Sequence, residues 1–183
     1  MNRRRLVLYL IAAPVGFLMT GLVFTIWNGF VPLRLVPAPV SLTDRPLPAF
    51  DLPGLGDGAA GLSSADLAGG ITVLNLFASW CIPCEAEHPF ITRLSGEQGL
   101  RVVGIAWMDD PAATAAWLAE HGNPYARIGV DRTAALQQAL DVKGVPTTFI
   151  VDAAGSIRFA REGPLVGDKA IADFRAALDR VRR

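Results

Sequence analysis

The sequence predicts an α/β fold with a mixed central sheet flanked by helices, joined to an N-terminal transmembrane helix. Three observations predict it. From Ile71 onward, apolar strand-like runs alternate with amphipathic helical segments, the pattern of βαβ units with parallel pairing. The last two strand-like runs are separated only by Ala153-Ala154-Gly155, a hairpin turn, so part of the sheet must be antiparallel. Ahead of both, the stretch from Leu6 to Leu33 carries no charged residue.

That uncharged stretch is about 28 residues, or about 42 Å as a helix, against a hydrocarbon core of about 30 Å, so it spans a bilayer with tilt. Arg3, Arg4 and Arg5 precede it and no basic residue follows until Arg34. The positive-inside rule then leaves residues 1–5 in the cytoplasm and everything after the anchor outside it. A cleaved signal peptide also starts with a basic region, but its apolar part ends after about 7–15 residues. Here apolar residues continue through Phe17, Leu18, Val23, Phe24, Ile26 and Phe30, so residues 6–33 read as an uncleaved signal anchor. Pro14, Gly16 and Gly21 are tolerated within membranes, and Trp27 sits where an interfacial aromatic belongs. Residues 34–47 are proline-rich without helical period and read as an extended tether, which leaves residues 48–183 as one domain.

Within that domain a short strand-like piece is expected at Ala49–Leu52 and a turn or brief helix at Ser63–Leu67. Strands are expected at Ile71–Ala78, Arg101–Trp107, Ala126–Val130, Thr147–Asp152 and Ser156–Arg161, where apolar and β-branched residues cluster. Helices are expected at Cys84–Leu94, Ala112–His121, Thr133–Leu140 and Asp168–Val181. His121-Gly122 reads as a helix end with glycine at a left-handed cap, and Asp168 as the N-cap of the last helix. No internal repeat or low-complexity segment interrupts this order.

Formal charge balances at 17 basic and 17 acidic residues, but removing Arg3, Arg4 and Arg5 leaves 14 against 17, a domain near −3. No basic stripe speaks for nucleic acid. The apolar share of 51% is inflated by the anchor, and the remainder still suffices for a packed core.

Both cysteines of the chain lie in Trp80-Cys81-Ile82-Pro83-Cys84, directly after an apolar run and at the start of a helix. A lone CxxC in that position is the arrangement of a thiol-disulfide exchanger. As a structural staple it would be poorly placed, since closing a loop of about four residues contributes about 1.9 kcal/mol against about 4.7 for a loop of about 100. Structural zinc wants four Cys or His ligands, and only His88 and His121 accompany the pair. The thiolate is the nucleophile, so an exchanger must lower one thiol pKa below about 8.5, which a helix N-terminus does. Cys81 at the helix start is therefore expected to attack, and Cys84, deeper in the helix, to resolve the mixed disulfide. Pro83 falls in the first turn, where its missing N–H breaks no helical bond.

At this point the residues resemble the thioredoxin-like proteins, and within them the membrane-anchored CcmG/DsbE group of cytochrome c maturation. The likeness runs through Leu74-Asn75-Leu76-Phe77-Ala78-Ser79-Trp80-Cys81, Cys84-Glu85-Ala86-Glu87-His88, Gly122-Asn123-Pro124-Tyr125 and Gly144-Val145-Pro146-Thr147-Thr148-Phe149, in order. It covers about Pro46 to the C-terminus, and the anchor agrees with it. The resemblance implies a thioredoxin-like domain on the periplasmic face of a bacterial inner membrane. There it would act as a protein-disulfide reductase that presents apocytochrome c cysteines as free thiols. Its redox centre would be the Cys81–Cys84 disulfide with no separate cofactor or metal, kept reduced by a membrane electron donor of DsbD/CcdA type.

The same likeness assigns supporting residues. Asn75 stands where ordinary thioredoxins carry a buried acid, and an amide is no base; Glu87 matches the acid that this group carries near its thiols, though by its position alone it reads equally as a solvated helix residue. The loop of Val145 and Pro146 should hold a cis peptide bond and offer backbone hydrogen bonds to a bound peptide. Trp80 is expected to lie beside the thiols and help bind partners, and His88 is given no role beyond structure or surface. Around the proline the group usually carries tyrosine and glutamate, where this chain has Lys143 and Thr147. The client is therefore open between apocytochrome c and another periplasmic dithiol protein, including copper-site assembly factors served by TlpA-type relatives, and Lys143 is open between a thiolate partner and a solvated lysine. A Cu(I) metallochaperone is the rival from another class, weakened because Met108 is the only methionine beyond the anchor and no histidine cluster accompanies the CxxC. An oxidant would use the same residues as a reductant and differ only in potential.

Overall fold

The computed structural model describes residues 42–183. The expected cytoplasmic terminus (1–5), the anchor (6–33) and the tether up to residue 41 lie outside the described residues. Among the described residues no helix is long and apolar enough to cross a membrane.

The chain-order alternation produces a six-stranded mixed sheet. Two strands of two residues come first, β1 (Arg45–Pro46) and β2 (Asp51–Leu52), then β3 (Leu62–Ser63) and a 3-10 turn at Ser64–Leu67. There follow β4 (Ile71–Phe77), α1 (Ile82–Ser95), β5 (Leu100–Trp107), α2 (Pro111–His121) and β6 (Ile128–Asp131). The remainder is α3 (Ala135–Leu140), β7 (Thr147–Val151), β8 (Ser156–Glu162) and α4 (Asp168–Val181). The strands lie in the order β1-β8-β7-β4-β5-β6, while β2 and β3 pair with each other. As expected, β4, β5 and β6 run parallel and β7 and β8 form the antiparallel part. Asp152 builds the hairpin turn, its Oδ1 accepting the N–H groups of Ala154 and Ser156, with Gly155 at φ 78°.

Several boundaries differ for local reasons. The domain end of the expected tether is not free: Arg45–Pro46 pairs antiparallel with Ile157 and Ser156 at the sheet edge. Asp110 accepts the N–H groups of Ala112 and Ala113, so α2 starts at Pro111. Asp131 takes the N–H groups of Ala135 and Leu136 and thereby delays α3 by two residues from the expected Thr133. Asp168 is not the N-cap of α4; Gly167 holds that place at φ 81° and Asp168 sits in the first turn, where its charge favours the helix dipole. Gly122 ends α2 at φ 89°, ψ 152°, a conformation that needs glycine but lies outside the left-handed helical basin expected of it.

Strand alternation divides the core between the two faces of the sheet. On one face Val73 and Phe77 of β4 join Phe90, Ile91 and Leu94 of α1 and Phe174, Ala177 and Leu178 of α4. On the other, Leu74 and Leu76 join Val103, Ile105, Phe149 and Ile157 beneath Leu136 and Leu140 of α3. Burying each large side chain contributes about 1.5–3 kcal/mol, so the sheet is held from both sides. In the middle of the face shared by β4, α1 and α4 stands a polar strand residue, Asn75, paired across the sheet with Thr148 of β7, and the site is organised around it.

Candidate functional site

Phe77 ends β4 and the chain turns through Ala78-Ser79-Trp80 into α1, whose N-cap is Cys81. Pro83 occupies the first turn. The Cys81 sulfur accepts the Cys84 N–H at 3.2 Å, and the Cys81 carbonyl accepts from Cys84 and Glu85. Cys81 and Cys84 are joined as a disulfide with their Cα atoms 5.2 Å apart. Residue exposures of 5% for Cys81 and 2% for Cys84 are too alike to rank the sulfurs. The distinction between them lies in the helix end: Cys81 is the N-cap, at the positive end of the helix dipole, and its sulfur accepts the Cys84 N–H.

The loop before the cysteines is anchored by a carboxylate. Asp109, after β5, accepts the Ser79 N–H at 2.6 Å and the Ser79 hydroxyl at 2.9 Å, together with the Thr114 hydroxyl at 2.7 Å. Trp80, just past this clamp, is 56% exposed and leans on Trp107 with ring centroids 5.7 Å apart. It does not fill the core.

Glu87 lies three residues after Cys84, hence on the same face of α1. Of its two positional readings, the solvated one is excluded, because Glu87 is 1% exposed. One carboxylate oxygen accepts from Asn75 Nδ2 at 2.8 Å and the other from the Leu165 N–H at 2.8 Å. Burial pushes its pKa up from 4.5 to about 7, with the two hydrogen bonds and the charge of Arg161 opposing that rise. Asn75 Nδ2 also donates to Thr148 Oγ1 at 3.0 Å, and Asn75 Oδ1 accepts the Tyr125 hydroxyl at 2.7 Å. The ring of Tyr125 stacks on Phe77 at 4.7 Å. It fits over β5 because Gly104 pairs with Asn75 across the sheet and offers no side chain: a Cβ there would stand 3.0 Å from the Tyr125 ring and 2.8 Å from that of Phe77.

The third part of the site is the loop before β7. The Val145–Pro146 bond is cis, as the resemblance implied. Val145 is partly buried and Pro146 buried, and the Pro146 carbonyl accepts the Gly163 N–H at 2.8 Å. Thr147 is fully buried and its hydroxyl donates to the Gly144 carbonyl at 2.6 Å, so this departure from the usual motif ties the loop to itself. Lys143 is exposed, its backbone N–H donating to Glu162 at 2.9 Å.

His88 has a structural place. Its Nε2 meets the Gly122 carbonyl at 3.0 Å and its ring stands edge-on to Trp117 at 4.7 Å, which ties α1 to the end of α2. His121 stacks on Trp117 at 4.7 Å, with its ring 6.4 Å from that of His88. Among the described residues no three His, Cys, Asp or Glu side chains group as metal ligands.

Sequence reasoning placed Cys81, Cys84, Trp80, Pro83, Glu87, Val145 and Pro146, and the fold brings all of them to the ends of β4 and β7 and the start of α1. It missed the work of Tyr125, Thr148, Asp109 and the Leu165 N–H. One signal was present: a lone amide in the otherwise apolar run of β4 must find buried partners.

Comparison with known proteins agrees with this geometry. The Redoxin family model matches residues 42–178. A thiol:disulfide interchange protein DsbE of Pseudomonas aeruginosa is 41% identical over 147 residues, 79% of each chain. Another DsbE, from Pseudomonas fluorescens biotype C, is 36% identical over 180 residues, covering 95% of this chain and 98% of the relative. Among solved structures, a thiol:disulfide interchange protein of the thioredoxin family from Chlorobium tepidum TLS superposes with a TM-score of 0.60 at 29% identity, over 75% of this chain and 95% of that one. The fold is thioredoxin-like, and proteins of this kind work with a redox-active cysteine pair and no separate cofactor.

Proposed function

Since the chain belongs to the Redoxin family and is a thiol:disulfide oxidoreductase, we propose that it is a periplasmic reductant, held at the bacterial inner membrane by residues 6–33, that keeps apocytochrome c cysteines reduced for haem attachment. The observations that carry the chemistry are the place of Cys81 at the N-cap of α1 and the Cys84 N–H that its sulfur accepts. Both stabilise a Cys81 thiolate once the pair is reduced. That thiolate attacks one sulfur of the client disulfide, and the other client sulfur leaves as a thiolate and takes up a proton. Cys84 then attacks the Cys81 sulfur of the mixed disulfide, the second client thiol departs, and the Cys81–Cys84 disulfide forms. Two electrons have passed from protein to client. Cys84 must lose its proton to attack, and Glu87, one turn along the same helix face with a pKa near 7, is the carboxylate suited to accept it. A membrane donor of DsbD/CcdA type returns the two electrons.

Client binding is supported by what surrounds the pair. Among the described residues, the exposed large hydrophobic side chains are Trp80, Ile82, Met108 and Val166. Trp80 and Ile82 flank Cys81, Met108 follows the Trp107 on which Trp80 leans, and Val166 follows the Leu165 that bonds Glu87. The loop of Val145 and Pro146 completes the face, on which an extended client segment pairs with backbone groups. Lys143 remains free at its rim to meet an acidic client, whereas Thr147 faces inward.

The reduction potential against glutathione tests the direction: a value near about −270 mV supports a reductant, and one near about −120 mV would mark an oxidant. Mixed disulfides trapped in cells with Cys84→Ala identify the client. Recovery of apocytochrome c supports the maturation role, and recovery only of copper-site assembly or other dithiol proteins would replace it.

A further inference from the structure

The buried carboxylate of Glu87 does not stand alone, and the groups holding it are aligned in one direction. With Glu87 ionised, only one orientation of the Asn75 amide pairs every atom. The carboxylate has no proton to give, so the amide NH2 must face it, and both N–H groups are used, on Glu87 and on Thr148. The amide oxygen then points the other way and needs a donor. Tyr125 supplies it through its hydroxyl at 2.7 Å. The phenol reaches Asn75 only because its ring lies flat on Phe77 over the bare backbone of Gly104.

We infer that Tyr125 and Asn75 are positioning residues for Glu87, the phenol locking the amide so that its NH2 is permanently turned toward the carboxylate. This rests on the reading of Glu87 as the proton acceptor of the exchange. Without the hydroxyl, Asn75 Oδ1 would be a buried acceptor with no partner, and rotation of the amide would bring it against the carboxylate oxygens. The charged and titratable groups around Glu87 are few. Arg161 on β8 is the cation whose field reaches it, Tyr125 is the titratable group on the side of β5 and β6, and Cys84 shares its helix face, while His88 points to Gly122. Burial holds the Tyr125 hydroxyl protonated far above neutrality, so it remains a donor wherever Glu87 titrates.

The test uses the full-length oxidised chain in detergent, with glutamate labelled by ¹³C at its carboxyl carbon. The Glu87 resonance is identified by its absence in Glu87→Gln, and its midpoint is followed with pH. Tyr125→Phe keeps the ring stacked on Phe77 and removes only the hydroxyl; the Glu87 midpoint should rise by about 0.5–1 pH unit, the scale of the one neutral hydrogen bond that holds the amide. Asn75→Ala removes the donor itself and should raise it further, which keeps the inference testable if one variant folds poorly. A midpoint unchanged to within about 0.2 pH unit in the folded variants would overturn it, because mere packing of Tyr125 predicts no titration change. In parallel, wild-type reduced protein is assayed for reduction of a disulfide-bonded CxxCH peptide. Failure there defeats the proposed function and leaves the titration result standing, whereas an unmoved midpoint with normal exchange defeats the positioning alone.

Discussion

Replacing Glu87 by Gln should flatten the dependence of stability on pH, and the size of the effect follows from burial. A carboxyl whose folded pKa is raised binds its proton more tightly in the folded chain than in the unfolded one. Stability is then highest below the unfolded pKa and is lost as pH rises through the folded one. For Glu87 that window runs from 4.5 to about 7, and at 1.36 kcal/mol per pH unit the loss is about 3 kcal/mol. Gln cannot ionise, so that loss disappears. It also carries an NH2 where one carboxylate oxygen now meets a donor, either Asn75 or the Leu165 N–H, which costs about 1–3 kcal/mol at every pH. Comparing two pH values cancels this constant term, and comparing wild type with Glu87→Gln cancels the opposite contribution of His88, whose pKa is lowered by burial. The assay is guanidinium unfolding of the oxidised full-length chain in detergent at pH 4.5 and pH 8.5, followed by tryptophan fluorescence. Wild type should lose about 3 kcal/mol more than Glu87→Gln between those values. Equal losses in the two proteins would refute the reasoning that burial at 1% exposure controls the titration of this carboxyl.

Gly104→Ala should destabilise the protein by about 1–3 kcal/mol and disturb the Glu87 titration together with it, because the new methyl meets Phe77 at 2.8 Å and Tyr125 at 3.0 Å within a stacked pair; thermal unfolding and the ¹³C midpoint check both. Asp109→Ala strips the acceptor from the Ser79 N–H and from two hydroxyls, so the Trp80 loop should loosen and protein stability fall by about 2–4 kcal/mol, measured by the same unfolding curves and by faster hydrogen exchange at Ser79. Phe174→Ala opens a cavity between Phe90 and Phe159, removes no hydrogen-bond partner of Glu87 or Asn75, and should cost about 3–5 kcal/mol while leaving the Glu87 midpoint in place.

Long periodic elements were legible in the chain, and elements made by pairing alone were not. The α4 helix occupies Asp168–Val181 as read, because its apolar stripe of Ala170, Phe174, Ala177 and Leu178 has helical spacing. β1 and β3 are two residues each, too short for any period, and exist because a neighbouring strand offers them hydrogen bonds. The cysteine pair and the proline loop were legible because their residue types are restricted by their chemistry. Glu87 shows the boundary. Beside the exposed Glu85 it is chemically identical, and only its spacing of three from Cys84 and four from Ile91 distinguishes the buried face. Asn75 and Leu165, which bond it, and Tyr125 and Thr148, which bond Asn75, come from four separate segments; the sheet register sets Thr148 beside Asn75, while tertiary packing places the loops of Tyr125 and Leu165, and no local pattern encodes either.

The most direct measurement of Cys81 as the attacking thiol uses the two single-cysteine variants against a disulfide-bonded CxxCH peptide. Reduced Cys84→Ala should form a mixed disulfide with the peptide rapidly down to mildly acidic pH, its rate following a Cys81 pKa below about 8.5. Reduced Cys81→Ala should form it slowly, and only as pH approaches the ordinary thiol range. Equal rates in the two variants, or faster capture by Cys81→Ala, would contradict a helix N-terminus that activates Cys81.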